Sequence, residues 1–169
     1  MSGESAETRY DEICVQLRGF RLPAWDEIPD LDYYMDQVLS LIERYLGDYP
    51  GFEQKGLTAS MVNNYVKQGL LQAPVKKRYT RAHLARLIMI CVLKTTLPIA
   101  SVKCLLEAGK TDEKAFYNRF TALFGEANED TAAALAQRGI EAAAASACSA
   151  ALRAQAERAV AIRLCGEAE

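Results

Sequence analysis

The sequence predicts an all-α protein, built as a helical core with an N-terminal helical extension and a long Ala-rich C-terminal helix. Apolar residues recur at helical spacing through most of the chain, punctuated by Pro23, Pro29, Gly47 and Pro98. The last third is rich in alanine and carries no proline, so intrinsic propensity favours one extended helix there. Half of the 169 residues are hydrophobic, enough for a buried core.

The first helix is expected in "ETRYDEICVQLRGF", where Tyr10, Ile13, Cys14 and Leu17 fall on one side before Pro23 and Pro29 break the pattern. In "DLDYYMDQVLSLIERYLG" the opening aspartates can cap. Leu31, Met35, Val38, Ile42 and Tyr45 form the apolar stripe, and Gly47 stops it. Thr58 is the expected N-cap of a helix of about 11 residues, roughly 16 Å long, with Val62, Tyr65, Val66 and Gly69 inward. Its outer face carries Ser60, Asn63, Asn64 and Lys67.

After this helix, "APVKKRY" reads as a short extended stretch, because the residue before Pro74 avoids helical geometry. Thr80 caps "RAHLARLIMICVLKT", with Leu84, Leu87, Ile88, Cys91 and Val92 on the core side and His83 expected at the surface. Pro98 starts "PIASVKCLLEAG", which Gly109 ends. Farther on, Ala115, Phe116, Phe120 and Leu123 define a helix stopped at Gly125. Residues 129–165 then form the Ala-rich helix, up to about 50 Å long. Three regions follow: 1–57, 58–109 and 110–169.

The net charge of −2 conceals an uneven distribution. Residues 55–110 hold ten basic residues and one acidic residue, Glu107, for +9; the remainder, with 10 basic and 21 acidic residues, carries −11. A basic centre with acidic flanks points to a polyanionic partner, or to docking of the flanks on the centre.

Catalysis and metal binding find little support. The five cysteines, Cys14, Cys91, Cys104, Cys148 and Cys165, form no CxxC pair, and the single histidine is not spaced to complete a metal cluster. Cys91 and Cys104 read as small buried apolar groups; Cys148 and Cys165 leave a thiol switch open. No phosphate-cradling glycine loop is present, so neither cofactor nor catalytic residue is expected. No apolar run approaches the roughly 20 residues that cross a bilayer, and the N-terminus lacks a secretory pattern, so a cytoplasmic location without membrane contact is expected.

The order helix, "GLL", basic stretch, "YTRAHL", apolar helix and "LL" resembles the DNA-binding domain of MerR-like transcription regulators, a winged helix-turn-helix. More closely, "YMDQV", "LTASMVNNYVKQGLL", "PVKKRYTRAHLARL" and "LKTTLPIASVKCLL" are similar to a bacterial family carried as a domain of unknown function within the MerR-like superfamily, over residues 31 to 108. The resemblance implies a recognition helix, a basic wing at "APVKKRY", and a homodimer formed through the C-terminal helix; the alternative for that Ala-rich helix is that it folds back on the chain's own N-terminal helices. The family's arginine and first tyrosine fall on Asn63 and Asn64, its second tyrosine on Tyr65, and its next basic position on Lys67. In the wing, its arginine falls on Lys77 and its last tyrosine on Tyr79.

The expected partner is therefore double-stranded DNA, met by Ser60, Asn63, Asn64, Lys67, Lys76, Lys77, Arg78, Tyr79, Arg81 and His83. A helix of that length fits a major groove about 12 Å wide, and an asparagine amide can match adenine N6 and N7. Asn63 shares a face with Lys67 and is the expected base reader. Asn64 leans toward Ser60 and the wing side and is expected to contact a phosphate or to support the wing. The bland alternative makes both asparagines solvated amides. The rival function is a non-catalytic adaptor that keeps the fold without binding DNA.

Overall fold

The computed structural model describes residues 6–49, 52, 56–107, 111–136 and 139–164. They form α1 (Ala6–Gly19), a 3₁₀ turn (Trp25–Glu27), α2 (Met35–Leu46), α3 (Ala59–Lys67), α4 (Arg81–Leu93), α5 (Ile99–Glu107), α6 (Glu113–Ala136) and α7 (Gly139–Leu164). Apart from two isolated antiparallel bridges, Tyr33 with Tyr79 and Val75 with Arg78, the described residues hold no strand. All-α is the correct class.

The core is organised around α4. Its residues Leu84, Ala85, Leu87, Ile88, Met89, Ile90 and Cys91 are all buried. This is wider than the stripe expected from the sequence, because α2, α5 and α6 all pack against α4. A helix covered on several sides needs apolar residues on each of them. Val38, Ile42 and Leu46 from α2, Val62 and Tyr65 from α3, Val102 and Leu106 from α5, and Tyr117 from α6 complete the core with Leu22 and Ile28.

The N-terminal segment is fastened to α6. The Tyr117 hydroxyl donates to Pro23 O at 2.9 Å, the Trp25 amide donates to Asn118 Oδ1 at 3.1 Å, and the two aromatic rings meet edge to face. Lys114 on α6 pairs with Asp26 at 2.8 Å. On the neighbouring side, Phe20, Tyr49 and Phe124 form an aromatic cluster. Tyr49 also donates to buried Asn128 at 3.3 Å.

Several boundaries differ from expectation. α2 begins at Met35 rather than beside the aspartates, because Tyr33 is held extended by two backbone bonds to Tyr79. Tyr34 becomes the N-cap residue, its amide donating to the Gln37 side chain at 2.8 Å, and Leu31 is exposed. In α1, Cys14 is buried but Ile13 is exposed, and Tyr10 lies where no side chain is described. Gly125 does not stop a helix: α6 runs through it to Ala136, buries Tyr117, Asn128 and Ala132, and leaves Leu123 and Ala115 exposed.

The Ala-rich segment is likewise divided. Residues 129–136 complete α6, and α7 starts at Gly139, whose low helix propensity suits a terminus better than an interior. α7 packs against α6 and α1, while Cys148, Leu152 and Val160 on it are exposed. Gly109 and Cys165 lie outside the described residues.

Candidate nucleic-acid interface

The site begins with two well-defined ends of α3. Thr58 Oγ1 accepts the Met61 amide at 3.3 Å, satisfying one of the first-turn donors. At the other end Gly69 adopts φ +71, its amide donates to Val66 O, and the Leu70 amide donates to Tyr65 O. This 6→1 and 5→2 pair is a Schellman motif, with Leu70 and Tyr65 both buried as its apolar contact. Gly69 is thus the glycine that reverses the chain rather than an inward residue. Lys103 of α5 donates to the free Gln68 carbonyl at 2.9 Å. Arg86 also bonds to the Leu70 carbonyl, fixing α3 to α4, and pairs with Glu107 at 3.6 Å.

With Val62 and Tyr65 buried, Ser60, Asn63, Asn64 and Lys67 are exposed as expected. α3 itself has nine residues, slightly shorter than its sequence suggested.

The segment after Leu71 is tighter than an extended stretch. Val75 and Arg78 pair across a two-residue turn, the Arg78 amide donating to Val75 O at 2.9 Å. The central residues, Lys76 and Lys77, have φ of +50 and +60. Two positive φ values mark a type I′ turn, which asparagine and glycine fill most readily. A lysine there costs about 1–2 kcal/mol relative to the right-handed region. Both lysines are exposed and make no ion pair with another described residue.

Beyond the turn the side chains divide. Arg78 lies with its guanidinium carbon 3.7 Å from the Tyr34 ring centroid, a cation–π stack that holds the hairpin against the start of α2. Tyr79 is buried, with its ring edge against His83, and belongs to the core. Arg81 is largely buried between the carboxylates of Asp26, at 3.6 Å, and Asp30, at 3.8 Å. The acidic flank docks on the basic segment at this point.

His83 corrects the expectation of a surface residue: it is only 8% exposed. Standing third in α4, it accepts the Thr80 amide on Nδ1 at 3.0 Å and so completes the helix start. Burial pushes its pKa below the ordinary histidine value, against weaker opposing pulls from the Gln72 backbone and Glu113. Cys91 is also buried, with its thiol pushed up to about 11, which keeps it protonated and inert.

Asn63 and Lys77 come together across a groove lined also by Tyr34, Met35, Asp36, Pro74 and Tyr79. Asn63, rather than Asn64, therefore lies beside the hairpin. Tyr34 and Asp36 escaped the sequence reading because they belong to a different helix start, and only the Tyr33–Tyr79 pairing brings that start to the hairpin.

Residues 23–122 match the family described as Domain of unknown function (DUF1836). The chain belongs to that family. The matched DUF1836 region holds α2 to α5, the hairpin and Tyr117, so it contains every residue of the buried core cluster except Leu22, and the entire groove. No curated protein and no solved structure matches the chain. Among the described residues no helix is long and apolar enough to cross a membrane.

Proposed function

We propose that this protein is a non-catalytic, sequence-specific regulator that binds double-stranded DNA through a MerR-like winged helix-turn-helix. α3 would enter the major groove, and the hairpin would act as the wing on the adjoining phosphates. The observation that carries the reading is the strained hairpin tip: two exposed lysines occupy positive-φ positions beside the polar outer face of α3. Strain retained at a surface turn, with like charges side by side, has no benefit for folding. Placing cations next to a phosphate gives it one.

In this reading Lys67, Lys76 and Lys77 neutralise phosphates, Asn64 and Ser60 position α3, and Asn63 reads a base. An amide paired bidentately with adenine discriminates by about 1–3 kcal/mol. Arg78 supports the wing by stacking on Tyr34 while leaving guanidinium edges for a phosphate. Two copies joined through α7 would present two α3 helices to an operator with two-fold symmetry. The exposed Leu152 and Val160 of α7 support that pairing. A cytoplasmic location accords with a DNA partner.

Selection of bound sequences from a randomised duplex pool tests the assignment. The wild-type chain is expected to enrich a two-fold symmetric site, and Asn63→Ala to lose preference at one base of each half-site. Failure to retain any duplex at low salt would remove the proposal. The adaptor reading rests on the pairing of Arg81 with Asp26 and Asp30, which shows that acidic groups of this chain already occupy part of the basic segment. Retention of an acidic protein partner with no retention of duplex DNA would favour it.

A further inference from the structure

The groove between α2, α3 and the hairpin carries chemistry that phosphate binding does not use. Its volume is about 550 Å³, within the roughly 300–1,000 Å³ typical of small-molecule sites. The lining is largely apolar, from Tyr34, Met35, Pro74 and Tyr79, and the polar residues Asp36, Asn63 and Lys77 border it. Asp36 and Lys77 line the same groove, yet neither makes an ion pair with a described residue. A carboxylate here also opposes phosphate binding, so a purely DNA-contacting surface gains nothing from it.

Tyr34 is 49% exposed although Arg78 covers one face of its ring. An aromatic surface therefore remains available beside an acceptor-only carboxylate and a lysine. A flat aromatic ligand with paired N–H donors on one edge and an anion at its other end satisfies all three.

We infer that this groove binds a guanine mononucleotide, with the base against Tyr34, its N1–H and N2–H groups donating to Asp36, and its phosphate at Lys77. Guanine presents those two donors side by side, which suits the two oxygens of a carboxylate. Adenine turns a lone pair at N1 toward the same carboxylate and is repelled. The inference rests on the DNA-binding reading only in that Lys77 would serve both ligands and Asn63 lines the same groove, so a nucleotide there would exclude DNA and make the site a regulatory one.

Calorimetric titration of the full chain with GMP, AMP and ribose 5-phosphate tests this directly. GMP is expected to bind once per chain, AMP at least tenfold more weakly, and ribose 5-phosphate without measurable heat. Asp36→Asn, which retains a polar residue in the first turn of α2, is expected to weaken GMP at least tenfold with an unchanged circular dichroism spectrum. Equal binding of GMP and AMP, absence of GMP binding, or binding of guanine only within a single-stranded oligonucleotide would overturn the inference. A parallel titration with duplex DNA separates the two proposals: duplex binding without GMP binding leaves the proposed function standing and removes this site, and the reverse result removes the proposed function.

Discussion

Tyr33 and Tyr79 exchange both backbone hydrogen bonds, Tyr33 N–H to Tyr79 O at 2.7 Å and Tyr79 N–H to Tyr33 O at 2.9 Å. That single antiparallel pair joins the entry to α2 with the exit from the hairpin, and both side chains are buried beneath it. Tyr33→Pro removes one donor, leaves the Tyr79 carbonyl unpaired, and should lower stability by about 1–3 kcal/mol. Urea denaturation measures the loss. Amide exchange should show the Tyr79 N–H protected in the wild-type chain and the hairpin amides exchanging faster in the variant.

The lysines at the hairpin tip separate stability from binding. Replacing Lys76 with Asn and Lys77 with Gly supplies residues that accept positive φ, so the double variant should be more stable by about 1–2 kcal/mol. Its melting temperature should rise while duplex affinity falls. A rise in both would show that the tip does not contact DNA.

His83 makes stability depend on pH in a defined direction. Its folded pKa lies below its unfolded value because burial disfavours the imidazolium. Above the unfolded pKa, near 6.5, both states are neutral and the group has no effect on stability. As pH falls below that value the unfolded chain takes up a proton first, and stability declines until the folded pKa is passed. His83→Gln should remove this part of the decline, as read from denaturation midpoints across that range.

Much of the local structure was legible because it depends on near neighbours. Thr58 and Thr80 as N-caps and the polar face Ser60, Asn63, Asn64 and Lys67 follow from spacing along one helix. What escaped depended on residues distant in sequence. The aspartates before Tyr33 look like caps until Tyr79 holds that residue extended. Gly125 looks like a stop, but α6 is already secured on both sides of it, through Tyr117 to Pro23 and Asn128 to Tyr49. His83 resembles a surface residue because a histidine cap and its burial beside Tyr79 leave no periodic signal. The I′ turn was hidden for a chemical reason: lysine is a poor marker of positive φ.

The central claim is that α3 and the hairpin grip duplex DNA, and the salt dependence of binding tests it most directly. Fluorescence anisotropy should be measured with a labelled duplex from about 50 to 200 mM salt for the wild-type chain and for Lys67→Glu, Lys76→Glu and Lys77→Glu combined. The logarithm of the wild-type binding constant should fall linearly with the logarithm of salt concentration. Loss of three phosphate contacts should flatten that slope by about 2.7, with affinity nearly abolished and the circular dichroism spectrum unchanged. A triple variant that binds with the wild-type slope and affinity, or a wild-type chain that binds no duplex at the lowest salt, would contradict the account.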